Sequence, residues 1–347
     1  MIPIRNVYYM LSYAFQVLNE QGYKNIATEQ FDNMAELCAA ILTNGITLLL
    51  KRGLGKEYIP MVETLSALRG KVEVSDSVKG CTMLKKQLVC AYDDFSINSY
   101  INRIIKTTAE ILLHAGISKS RKRDLRKLMV YFNDVELLDV HKINWHIQYN
   151  RNNQTYRMLI SICWLLVKGL LQTNSDGSTR LIDFLDEQRM CRLYEKFILE
   201  YYKRELPLLN ANASQIPWAL DDGISDMLPA MQSDIMLSHD DKVLIIDAKY
   251  YTHTTQKQYD IHSLHSGNLY QIFTYVKNKD AELSGKPHKV SGMLLYARTD
   301  ETIQPDNEYQ MSGNRISVRT LDLNCEFTEI AKQLNTIVED HFSESVL

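Results

Sequence analysis

A surplus of positive charge is missing from this chain: 39 Lys and Arg stand against 42 Asp and Glu, for a formal net charge of −3 over 347 residues. A protein that grips DNA unaided is usually basic, because Lys and Arg must neutralise phosphates and release counterions. If nucleic acid is handled here, a local basic patch or a partner must supply most of the grip. C-x-x-C pairs are also missing. The six cysteines stand singly at 38, 81, 90, 163, 191 and 325, which argues against a zinc site and a disulfide framework. Cys163 and Cys191 sit in apolar, helix-like surroundings and read as reduced, buried thiols of a cytoplasmic protein. The N-terminus lacks the basic-then-apolar order of a signal peptide. The longest apolar stretch, near 159 to 171, is interrupted by Ser161 and Lys168 and is too short to span a bilayer. A soluble protein with no membrane partner is expected. No phosphate loop of the G-x-x-x-x-G-K-[ST] type occurs, since the run from Gly53 to Lys56 is too short, so no nucleotide should bind this chain itself.

What is present is ordinary in bulk: 45% hydrophobic and 23% charged residues, as in a soluble globular protein long enough for two modest domains. Apolar spacing predicts helices over 6–19 and 32–50, with Asp32 as N-cap, and over 98–114 and 155–171. Glycines at 53, 55 and 70 with alternating segments predict short strands and turns between 51 and 76. The stretch from Ser118 to Lys127 carries cations at 119, 121, 122, 123, 126 and 127 and reads as a solvated helix face. Turn formers cluster at 172–179, the best linker. Beyond it a helix over 182–205, ended by Pro207, precedes strands at 215–218, 234–237 and 243–248. A helix over 268–277, strands at 290–296 and 315–321, and a closing helix over 326–342 complete an α/β pattern. The fold expected is α/β: a mixed α+β domain over 1–175, then a domain over 176–347 with a central mixed sheet flanked by helices.

The chemistry concentrates between Met231 and Tyr251. Two apolar runs flank the polar turn from His239 to Lys242 and should pair as an antiparallel hairpin. With the turn centred between 240 and 241, paired positions sum to 481, which sets Asp234 opposite Asp247. Carboxylates about 5 Å apart across strands repel, so a cation must lie between them or one must keep its proton. Asp247 and Lys249 leave the same face of one strand, and Val243 to Ile246 read as a central strand buried on both sides. Magnesium, which takes hard oxygens and retains waters, would be held by Asp234 and Asp247, with manganese as a substitute and the Ala248 carbonyl as a possible third ligand. Lys249 would orient or help deprotonate an attacking water and offset charge on a phosphate. Gln271 and Tyr275, at i and i+4 on one helix face, would hydrogen-bond a phosphate or the surroundings of the lysine. The histidines at 253, 262 and 265 read as solvent-exposed loop residues rather than metal ligands.

A helix, then Asp, then Asp-x-Lys, then Gln-x-x-x-Tyr resembles the PD-(D/E)xK nuclease superfamily in its RecB-like variety. More closely, the chain resembles the McrC family, over 2–14, 51–54, Arg69 with Gly70, 102–106, 193–197 and 245–251. The resemblance implies Mg2+-dependent cleavage of double-stranded DNA. It also implies an AAA+ GTPase ring, McrB, as the partner that recognises a methylcytosine-type base and translocates, and a first domain that docks into the ring and stimulates its GTPase. It places Glu195 where many such nucleases carry a helix carboxylate near the metal, while a solvated Glu fits as well. Arg5, Arg52, Arg69 and Lys71 become candidates for reaching the partner's nucleotide site. Two other readings stay open: a non-catalytic adaptor that only activates an AAA+ NTPase, and a stand-alone RecB-like nuclease.

Overall fold

The computed structural model describes residues 2–15, 33–149, 156–173, 187–251, 255–258 and 261–342, and singly 18, 23, 26, 29 and 31. The predicted linker from residue 174 onward, Asp32 and His253 lie outside the described residues, as do the side chains of 168–173, 187–189, 255–258 and 261–263, His262 among them. Helices α1 (Ile4–Ala14) and α2 (Met34–Arg52) come first, then β1 (Glu57–Leu65), β2 (Lys71–Val72), α3 (Val74–Lys79) and β3 (Leu88–Ser96). Helices α4 (Tyr100–His114), α5 (Lys119–Met129), α6 (Tyr156–Thr173) and α7 (Glu187–Glu205) follow. The strands β4 (Gln215–Ile216), β5 (Met231–Gln232), β6 (Ile235–His239), β7 (Lys242–Lys249), β8 (Thr255–Gln258) and β9 (Ile261–Leu264) lead into α8 (Ser266–Glu282). Last come β10 (Lys289–Ala297), β11 (Asn307–Met311), β12 (Asn314–Leu321) and α9 (Phe327–His341).

The chain divides into two compact units, and the division departs from the expected cut at 175. One unit comprises 21–26 and 32–184; the other joins 1–20 and 27–31 to 185–347. The correction concerns α1, which belongs with the C-terminal half. Asn6 Nδ2 donates to the carbonyls of Leu323 and Cys325 at 2.8 and 2.7 Å. Tyr13 hydrogen-bonds Glu205 at 2.8 Å and packs on Phe197, Tyr201 and Phe327. No local pattern betrays such partners, because they lie about two to three hundred residues away.

In the inserted unit, α2, α4, α5 and α6 pack on one another. Helix α2 is long and apolar enough to cross a bilayer by composition, yet Leu37, Cys38, Ala39, Ala40, Ile41 and Leu42 are all buried, so it is a core helix. Its N-cap is Asn33, which accepts from the Glu36 N–H at 3.0 Å. Beside the helices stands an antiparallel sheet in the order β1-β3-β2, with Glu57 opposite Ser96 and Leu65 opposite Leu88. The sequence reading finds no strand at β3, because the sheet is largely solvated and supplies no clean apolar alternation. Tyr58, Val62 and Phe95 are exposed on it.

The other unit is built on a five-stranded mixed sheet, β11-β12-β10-β7-β6, with β10 parallel to both β7 and β12 and β6 antiparallel to β7. Helix α8 crosses over between β7 and β10. It lies close because Gly292 has no side chain: a Cβ there would sit 2.7 Å from Val276 Cγ2 and 2.9 Å from Ile272 Cγ1. One core joins Val243, Ile245, Leu294, Tyr296, Ile316 and Val318 to Ile272, Tyr275 and Val276. Helix α7 packs on β6 and β7, and α9 on β12. Six of the eight residues of β7 are buried, as expected of an interior strand with both faces covered. Pro217 stops β4 after Ile216, shorter than the expected 215–218, since proline cannot donate to a ladder. The β8–β9 hairpin and β11 are additions to the predicted elements; the former replaces the loop expected around His262.

Candidate active site

Strand β7 delivers the chemistry. Its hairpin with β6 turns at Asp240 and Asp241 between the paired His239 and Lys242, with Asp240 at φ 53°. No bulge intervenes, so the pairs Ile235–Ile246, Met236–Ile245 and Leu237–Leu244 keep the predicted sum of 481. Asp234 sits one position beyond the last pair, where the chain bends. Its Oδ2 accepts the Ala248 N–H at 2.9 Å, and it is near enough to Asp247 for the two charges to act on each other. The ladder alone does not produce this arrangement: the bend frees the Asp234 side chain to reach the neighbouring backbone.

Asp247 is 1% exposed. Its Oδ2 lies 2.8 Å from Lys249 Nζ as an ion pair, without an aligned hydrogen bond. Lys249 also donates to Gln271 Oε1 at 3.3 Å, and Gln271 Nε2 donates to Tyr275 OH at 2.9 Å. A continuous chain therefore runs Asp247, Lys249, Gln271, Tyr275, with the last two on adjacent turns of α8. The tyrosine fixes which end of the Gln271 amide faces the lysine.

The electrostatics follow from crowding. Burial first, then Asp247 and Glu195, push the Asp234 carboxyl up to about 8, against Lys249 and the Ala248 N–H. Burial also pushes Asp247 up, opposed by Lys249. For Lys249 burial works the other way, favouring the neutral amine, but Asp247 and Asp234 outweigh it and hold the ammonium above its ordinary range. Its neighbours therefore favour the ammonium form. Glu195, raised by burial, accepts from Cys191 Sγ at 3.0 Å, and the same sulfur lies 3.9 Å from the Ala248 carbonyl. Cys191 is the residue sequence reasoning misread: it is half-buried rather than buried, and its thiol is pushed up to about 12 by burial and Glu195. Its i, i+4 spacing from Glu195 was the available signal.

Two neighbouring carboxyls that meet Lys249 and the Ala248 N–H among the described residues suit a divalent cation. Among the described residues no three or more His, Cys, Asp or Glu side chains are grouped to cage a metal by themselves. An ion that accepts two carboxylates and retains waters, as magnesium does, is the one the donors fit.

The remaining candidates have partners of their own or belong to the other unit. Arg5 is on the exposed side of α1, 3.9 Å from Glu326. Arg52 is exposed at the end of α2. Arg69 pairs with Asp94 at 2.9 Å and stacks on Tyr92, and Lys71 pairs with Glu73 at 2.9 Å. His265 is half-buried against Tyr251, not solvent-exposed as expected, because the start of α8 is packed on the sheet.

The profile of the McrBC 5-methylcytosine restriction system component family matches residues 4–297. The Type IV methyl-directed restriction enzyme EcoKMcrBC of Escherichia coli (strain K12) is 29% identical over 348 residues, 98% of each chain. Among solved structures, a refined half-complex from the tetradecameric assembly of Thermococcus gammatolerans McrB AAA+ hexamers with bound McrC contains a chain of similar fold. That likeness has a TM-score of 0.50 at 17% identity, covering 96% of this chain and 76% of that one.

Proposed function

The chain belongs to the McrBC 5-methylcytosine restriction system component family, and from that premise we propose that it is the nuclease subunit of a modification-dependent restriction complex. The reaction is hydrolysis of DNA phosphodiester bonds with Mg2+, on a PD-(D/E)xK fold. One observation carries this reading: Asp234, Asp247 and Lys249 converge at the end of β7, tied to α8 through Gln271.

Asp234 and Asp247 would hold the magnesium, with the Ala248 carbonyl within reach of the same set. When bound, the ion lowers the pKa of a water and polarises the scissile phosphate. Lys249, held protonated, donates to a phosphate oxygen as negative charge builds there. Gln271 and Tyr275 keep its ammonium aimed, and the Ala248 N–H fixes the rotamer of Asp234. Glu195 tunes the aspartates through its charge while it hydrogen-bonds Cys191.

The partner proposed is an AAA+ GTPase ring of the McrB kind; the Thermococcus assembly holds McrB AAA+ hexamers with bound McrC. The antiparallel pair β1 and β3 supports it: Tyr58, Val62 and Phe95 are more than half exposed, and so are Leu68, Met83 and Leu84 nearby in the chain. Apolar area of that kind marks a protein contact. Of the cations proposed to stimulate the ring's GTPase, Arg69 and Lys71 are tied to carboxylates and Arg5 faces Glu326. Arg52 has no such partner among the described residues and is the best placed to act in trans.

The test is Asp247→Asn in the complex of this chain with its ring partner, supplied with GTP, Mg2+ and methylated plasmid. Cleavage is expected to fall by at least about 10²- to 10³-fold, with stimulated GTPase unchanged. Cleavage at the unmodified rate would overturn the assignment.

A further inference from the structure

Helix α5 carries a charge pattern that folding does not require. Six of its eleven residues are cations and one, Asp124, is an acid. No acid of the helix itself occupies the first turn, although Glu36 of α2 accepts the Ser118 N–H at its N-cap; Lys119, Arg121 and Lys122 stand in that turn, at the positive end of the helix dipole, where cations are unfavourable. Lys119 and Arg123, Lys122 and Arg126, and Arg123 and Lys127 are like charges at i, i+4, which repel. The apolar side is satisfied without them, by Leu125 and Met129.

Half of these cations pair with a carboxylate within the fold. Arg121 pairs with Glu36 at 3.8 Å. Asp124 is shared between Arg123 at 3.8 Å and Lys127 at 3.9 Å. Lys119, Lys122 and Arg126 pair with no carboxylate among the described residues. At 3.6 residues per turn, positions 119, 122, 123, 126 and 127 share an arc of about 140°, turned away from Leu125. Residues 119, 123, 126 and 127 are exposed.

We infer that this face of α5 binds the phosphodiester backbone of duplex DNA, an inference that rests on the proposal that DNA is the substrate. The chain as a whole is acidic, so this stripe is a local feature and not a reflection of composition. A helix of eleven residues is about 16 Å long, enough to lie along several phosphates of a duplex. Lys and Arg without an aromatic residue in α5 suit backbone contact, which positions, rather than base stacking on a single strand. The helix accepts unfavourable neighbours at its N-terminus in exchange for a partner of opposite charge, as a functional site does.

The experiment measures binding of a fluorescent methylated duplex to the complex of the full chain and its ring partner, in the Asp247→Asn background so that DNA is not consumed. Lys122→Gln, Arg123→Gln and Arg126→Gln together should make the slope of log affinity against log salt shallower by about 2 to 3, at about 0.9 per lost contact. The melting temperature should hold or rise, and the partner's GTPase should be unchanged. The charge-conserving set Lys122→Arg, Arg123→Lys and Arg126→Lys should keep the original slope. An unaltered slope and affinity in the Gln variant would overturn the inference. So would lost GTPase stimulation at unchanged DNA affinity, which would make α5 a face for the protein partner. Failure of the nuclease reading shows elsewhere, as an unmodified complex that binds the duplex but does not cut it.

Discussion

At the scale of the residue, Asp234 makes a pH prediction for the metal-free chain. Its carboxyl is pushed up to about 8 by burial and by Asp247, whereas an unfolded aspartate titrates near about 4. Between those values the folded chain holds a proton that the unfolded chain has released, so stability falls as pH rises through the window. Below about pH 4 both states are protonated and the penalty vanishes. Asp234→Asn should therefore flatten the decline in thermal midpoint between about pH 4 and about pH 8, and parallel profiles for the two proteins would refute the cause given. The same residue shows how far a sequence reaches. The register that runs to the pair Ile235–Ile246, one position short of Asp234 and Asp247, was legible because a two-residue turn fixes it. The bend that lets Asp234 take the Ala248 N–H was not, nor was the thiol of Cys191 turned to Glu195, since both depend on side-chain reach rather than periodicity.

At the scale of the element, α8 is the part whose placement the chemistry needs, and Gly292 sets its distance from the sheet. Gly292→Val would force a side chain against Val276 and Ile272, β-branched residues that are stiff in a helix. Overpacking of this kind costs about 1–3 kcal/mol. The cost should appear as a lower urea midpoint, and the cleavage rate should drop beyond what stability explains, because Gln271 and Tyr275 move away from Lys249. Unchanged cutting at reduced stability would mean that the hydrogen-bonded chain from Lys249 to Tyr275 is dispensable. Helix α8 was readable from its apolar spacing, and its Gln and Tyr from their shared face. Strands β3 and β11 were not, because most of their residues are exposed or half-exposed and a strand without a buried face leaves little pattern.

At the scale of the whole molecule, the chain is one unit inserted into another. The sequence suggested two domains in series, because composition shows a turn-rich break but says nothing of which distant segment a helix joins. Asn6 tests the observed topology. Buried at 3% exposure, it satisfies two carbonyls beyond β12, and Asn6→Ala should destabilise the unit holding the candidate site by about 1–3 kcal/mol, read from urea unfolding. A stability unchanged by that substitution would place α1 outside the unit. The bond from Asn6 to Leu323 spans 317 positions, and that span has a consequence during synthesis. A ribosome adding about 5–20 residues per second needs on the order of 15 to 60 s to supply the seat that α1 will occupy. Over that interval the Asn6 amide and the Tyr9 ring wait for Leu323, Cys325 and Phe327, while Tyr13 can meet Phe197, Tyr201 and Glu205 earlier, so α1 completes its docking late.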